Sequence, residues 1–186
     1  MRTATLFIKN LGRRALFAGL LSAALLTRVW AGAPGSIPEF THAQAAEWIN
    51  SRPLTVAELR GTVVLIEFWT FDCVNCLHSA AWLKSVAEQQ AAAGLVVIGV
   101  HTPELPQERV AVNVRAAVKR LGIKYPVMID GDYSYWNALS NRYWPAFYVI
   151  DRDGQVRAQS IGELRVGESN ALQLESTIKQ LLATRN

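Results

Sequence analysis

The stretch Thr62-Val63-Val64-Leu65-Ile66-Glu67-Phe68-Trp69-Thr70-Phe71-Asp72-Cys73-Val74-Asn75-Cys76 decides the fold. From Thr62 to Trp69 it is almost unbroken apolar and β-branched, the pattern of a strand buried on both faces of a partly parallel sheet. The chain's only two cysteines follow within seven residues, and beyond them Leu77 to Ala93 has helix-forming composition and stops at Gly94. A second apolar run, Leu95 to Val100, completes a strand, helix, strand unit, for which right-handed crossover is the default.

Outward from this unit, Glu104 to Leu121 predicts a helix stopped by Gly122, and Tyr125 to Ile129 a short strand. Ala146 to Asp151 and Gln155 to Ser160 predict a hairpin about Asp153-Gly154, and Glu168 to Ala183 a closing helix. Upstream, Gly32 to Phe40 reads as an extended lead-in, and Thr41 offers a cap for a short helix through Trp48 and Ile49. Alternating strands and helices argue for an α/β three-layer sandwich.

The chain has 186 residues, 51% hydrophobic and 18% charged, enough apolar surface for one core. This excludes a large multidomain enzyme, a disordered chain and a disulfide-rich miniprotein. The formal charge of +4 misleads: five basic residues and no acid fall in the first 31 positions, leaving 14 basic against 15 acidic residues afterwards. A nucleic-acid partner needs its cations on the folded domain, so no nucleic acid is expected.

Those first 31 residues have the layout of a secretory signal, with Arg2, Lys9, Arg13 and Arg14 ahead of an uncharged run from Ala15 to Thr27. Cleavage after Ala31 places Val29 and Ala31 at the specificity positions. Arg13-Arg14 partly resembles a twin-arginine signal and also serves as an ordinary basic region. An uncleaved membrane anchor is the alternative, although Arg28 closes the run well short of a ~20-residue span. Either arrangement puts the folded part, residues 32–186, outside the cytoplasm, in a periplasm or its equivalent.

Cys73 and Cys76 stand after a buried strand at the start of a helix. Unpaired N–H groups and the positive dipole end there stabilise a thiolate, making Cys73 the candidate nucleophile. It would form a mixed disulfide that Cys76, one turn away, resolves by closing an internal redox-active disulfide. A purely structural disulfide is the plainer alternative, but so short a loop restrains the unfolded chain by only ~2 kcal/mol in the entropic picture. A zinc site would need two more ligands, with only His42, His78 and His101 as nitrogen candidates, so no metal and no cofactor is expected. Glu67 lies inside the strand, where an acid is costly unless paired or protonated; its carboxyl is expected to have a raised pKa and to accept the proton of Cys76. Should it sit at the strand's end, it would simply reach water.

Glu67 to Cys76 resembles the active-site segment of thioredoxins, with an acid and a tryptophan, Trp69, at the matching places. With Gly94 to Glu104, Ile123-Lys124-Tyr125-Pro126 and Asn141-Arg142-Tyr143-Trp144-Pro145-Ala146, the likeness is closest to extracytoplasmic redoxins of the TlpA/DipZ type and spans roughly Pro38 to Ala183. It implies a thioredoxin fold with a mixed central sheet and an inserted helix and strand between Glu104 and Ile129. It also implies thiol:disulfide oxidoreductase activity on protein disulfides, in the reducing direction, with a membrane protein as electron donor. Pro145 would then be a cis proline facing the disulfide, and Trp144 and Trp69 would flank the substrate segment; without the likeness, a trans Pro145 opening a strand is the ordinary expectation. Ala81 stands where many thioredoxins carry a kinking proline. His78 is expected to face solvent and His101 to be structural.

Two other functions use the same atoms. A Cu(I)-binding module could employ both thiolates with His78 or His101, although Met1 and Met128 are the only methionines. A thiol peroxidase is suggested by Thr70, three residues before Cys73, and opposed by Ile66, where that motif has proline.

Overall fold

The computed structural model describes residues 35–184. The expected leader, with Arg13, Arg14 and the cleavage point at Ala31, lies outside the described residues. Among the described residues no helix is long and apolar enough to cross a membrane.

Six strands form one mixed sheet: β1 (Trp48–Ile49), β2 (Val63–Trp69), β3 (Leu95–His101), β4 (Val127–Ile129), β5 (Ala146–Ile150) and β6 (Val156–Ile161). Their order is β1-β4-β3-β2-β5-β6. β3 runs parallel to both β2 and β4, while β5 is antiparallel to β2, β6 to β5 and β1 to β4. Four helices accompany them: α1 (Val74–Gln90), α2 (Ala111–Leu121), α3 (Ser134–Ala138) and α4 (Ser169–Ala183).

Strand periodicity sorts the core into layers. Val64, Ile66 and Phe68 of β2 pack with Phe40, Trp48, Tyr135, Trp136 and Tyr148 beneath α3 and the incoming segment. Val63 and Leu65 face Trp82, Leu83 and Val86 of α1 and Ala171, Leu174 and Ile178 of α4. Toward the β4 side the same face continues with Trp69, Cys76 and Ile129 against Val114, Ala117 and Val118 of α2. All seven residues of β2 are buried, as its unbroken apolar run requires.

Local departures from the sequence expectations have physical reasons. Trp48 and Ile49 are a strand rather than a helix: only Ala45–Glu47 make a 3-10 turn, and the Trp48 indole is drawn into the core, donating to His42 O at 2.8 Å. The Glu104–Leu121 helix is split, because Pro106–Arg109 form a 3-10 turn around the buried Glu108 before α2 begins. α1 begins at Val74, three residues early, and is extended by the turn Ala91–Ala93 to Gly94, whose φ of 94° suits a residue without Cβ. The strand expected from Tyr125 starts only at Val127, since Pro126 has no N–H for the ladder. α3 was not expected at all.

Candidate active site

β2 ends at Trp69, and three residues later the chain turns into α1 with Cys73 as N-cap. Cys73 Sγ accepts the backbone N–H of Cys76 at 3.3 Å. Both cysteines are free thiols, Cys73 half-buried and Cys76 buried. Hydrogen bonding from the Cys76 thiol, helped by the N–H groups of Cys76 and Asn75 and opposed by burial and the charge of Glu104, brings the Cys73 thiol down to about 7. Cys76 is pushed strongly upward by that same hydrogen bond, by burial and by Glu67. The pair is thus one accessible, acidic sulfur backed by one that keeps its proton.

Glu67 does not reach water; it is 3% exposed in the middle of the sheet. Burial raises its carboxyl to about 8, Cys73 adds to the rise, and the Tyr125 hydroxyl facing it works against both. Trp69 is also buried, at 3% exposure, with its ring edge-on to His101 at 5.1 Å. It floors the site instead of lining an open groove, because β2 is central and covered by helices. Trp144, partly buried, packs in the same apolar cluster as Cys73, Cys76, Trp69 and Phe71. Its indole donates to Thr102 O at 3.0 Å and lies 4.2 Å from the ring of Trp136. The Trp144–Pro145 peptide bond is cis.

His78 is exposed and paired with Glu163 at 2.9 Å. His101 is fully buried, its Nε2 at 3.3 Å from Thr70 Oγ1 and its ring stacked on Phe71. Burial takes it down to about 4, so it is neutral at neutral pH. The His42, Asp130 and Asp132 cluster is the one group of three potential metal ligands among the described residues, and neither thiol belongs to it.

Sequence reasoning missed Glu108, buried to 1% exposure. Its carboxylate accepts the backbone N–H groups of Asp72 at 3.0 Å and of Glu104 and Leu105 at 2.7 Å each, tying the inserted segment to the residue before Cys73. An acid three positions after Leu105, following Pro106, carries the spacing of an N-terminal turn; nothing in the spacing connects it to Asp72.

A thioredoxin fold with a helix-capping Cys-x-x-Cys couple over a buried acid defines a thiol:disulfide oxidoreductase. The chain belongs to the Redoxin family, whose model matches residues 33–174. It is 42% identical over 142 residues to protein DipZ of Mycobacterium bovis, covering 73% of this chain and 19% of that one. The chain therefore spans about a fifth of that relative's length. It is 26% identical over 147 residues to the thiol-disulfide oxidoreductase YkuV of Bacillus subtilis, covering 79% and 94% of the two chains. Among solved structures it resembles the thioredoxin-like superfamily protein SPOA0173, with a TM-score of 0.70, 27% identity, and coverage of 82% and 99%.

Proposed function

We propose that residues 1–31 export the chain and that the domain from residue 32 onward reduces protein disulfides outside the cytoplasm, recharged by a membrane electron donor. The leader's composition supports export, and the likeness to TlpA/DipZ-type redoxins supports the donor. The observation that carries the direction is the Cys73 thiol held near 7. Strong oxidants of this fold stabilise their thiolate far more, to about 3.5, and a modestly acidic thiol gives its electrons more readily.

In this reading the Cys73 thiolate attacks a partner disulfide docked beside Trp144 and Pro145, forming a mixed disulfide and expelling one partner thiolate. The Cys73 charge that opposed ionisation of Glu67 disappears at that moment, so the carboxylate becomes accessible. Glu67 then takes the proton of Cys76, whose sulfur attacks Cys73 Sγ and releases the second partner thiolate. Two electrons pass to the partner, and Cys73–Cys76 closes as a disulfide. Equilibration in thiol buffers, read by alkylation, tests the direction: a potential near or below about −230 mV supports the reductant, and one near about −120 to −180 mV overturns it.

A further inference from the structure

Gly99 of β3 is the residue in register with Glu67 of β2. A Cβ at Gly99 would stand 3.0 Å from Nε1 of Trp69, 3.3 Å from Cε2 of Tyr125 and 3.4 Å from Cγ2 of Val127. The absent side chain therefore leaves a gap beside Glu67 that two polar-tipped rings fill. Trp69 Nε1 is buried there without a hydrogen-bond partner, and the Tyr125 hydroxyl faces the Glu67 carboxyl. The other titratable groups facing Glu67 are Cys73 and Cys76. From α2, the apolar side chains of Val114, Ala117, Val118 and Leu121 pack into this cluster. Tyr125 also lines a cavity of about 390 Å³, with Lys84, Glu88 and Lys124 among its walls.

We propose that Tyr125 is a positioning residue for proton transfer from Cys76, its hydroxyl donating to the Glu67 carboxylate in the space that Gly99 leaves open. The inference rests on Glu67 being the proton acceptor. In the step concerned, the Cys76 S–H bond breaks and an O–H bond forms on Glu67. The sulfur's electron pair attacks Cys73 Sγ, the partner thiolate leaves, and Tyr125 keeps its own proton throughout. A donor to the charged form of an acid favours that form, which opposes the burial that otherwise keeps Glu67 protonated. Orientation matters equally, because a carboxylate free to turn in an apolar gap would not hold one oxygen toward Cys76.

The test uses Ellman's reagent on the reduced protein. The first thionitrobenzoate released reports attack by Cys73, and the second reports resolution by Cys76. The pH dependence of the second release is compared in wild type, Tyr125→Phe, Glu67→Gln and the double variant. In Tyr125→Phe the midpoint of the second release moves to higher pH while the first release keeps its pH dependence. Its rate at pH 7 drops about tenfold for each pH unit of that movement. In the Glu67→Gln background the Tyr125→Phe change has no further effect. An unmoved midpoint, or an equal loss with and without Glu67, overturns the role of Tyr125 alone. A second release indifferent to Glu67→Gln overturns the proton-acceptor reading, and the role of Tyr125 with it.

Discussion

The Glu108 carboxylate accepts the backbone N–H of Asp72 at 3.0 Å, so the segment preceding α2 holds the turn that presents Cys73. Hydrogen bonds to a charged acceptor contribute more than neutral ones, and stranding the donors adds their desolvation cost. Glu108→Ala is expected to lower stability by ~2 to 4 kcal/mol in urea unfolding and to slow exchange through Cys73. Equal stability of variant and wild type would show that water replaces the carboxylate without loss.

The thiols are unequal in exposure and acidity, and the reagents that see them should be too. Iodoacetamide is expected to modify Cys73 with a midpoint near pH 7 while Cys76 stays unmodified in the folded protein. Cys73→Ser is expected to abolish exchange, and Cys76→Ser to accumulate mixed disulfides through Cys73. Peptide mapping of trapped complexes checks the assignment; adducts on Cys76 in the Cys73→Ser protein would reverse it.

Glu67 has a folded-state pKa of about 8 against an ordinary 4.5. Between those values the folded dithiol form binds a proton that the unfolded chain has released, so stability falls as pH rises from about 4.5 to about 8. Glu67→Gln removes that penalty. Its stabilisation of the reduced protein should be small near pH 5 and reach ~4 to 5 kcal/mol at pH 8 to 9, even as turnover slows. Thermal unfolding at the two pH values measures the difference, and a gain that is equal at both would refute it.

His42 supplies the opposite sign. Burial pushes its imidazole down, but hydrogen bonds and charge from Glu47 and Asp130 outweigh it and raise the pKa above 6.5. A raised base contributes stability that is fully present below its unfolded pKa and is lost as pH rises through the folded one. Replacing His42 with Gln should therefore cost more stability at pH 5.5 than at pH 9. A pH-independent loss would mean that packing, not charge, is what His42 provides.

Much of this was legible because β2 and α1 carry their signals locally: an apolar run, a capping position and a helix ended by glycine. The strand at Trp48–Ile49 was not, since two residues hold no periodicity and their pairing with Met128 and Val127 is made nearly eighty residues away. α3 was hidden for a related reason: its N-terminal donors at Tyr135 and Trp136 are satisfied by Asp130, which precedes the helix and looks like a loop acid. Within the site, Cys73, Cys76 and the burial of Glu67 could be read from the sequence. The placing of Trp69 beneath the thiols, the tie from Glu108 and the approach of Tyr125 over Gly99 are contacts between distant segments, which spacing does not encode.

The sheet's two margins bear on how the protein behaves at high concentration. One margin is the two-residue β1, too short a ladder for a neighbouring chain to extend. The other is β6, entered through a bridge from Ser36 to Gln155 and carrying the exposed cation Arg157. Short and charged borders of this kind discourage strand-by-strand recruitment of further copies. The sheet can thereby stay a single closed unit while the thiols at the end of β2 remain open to a partner.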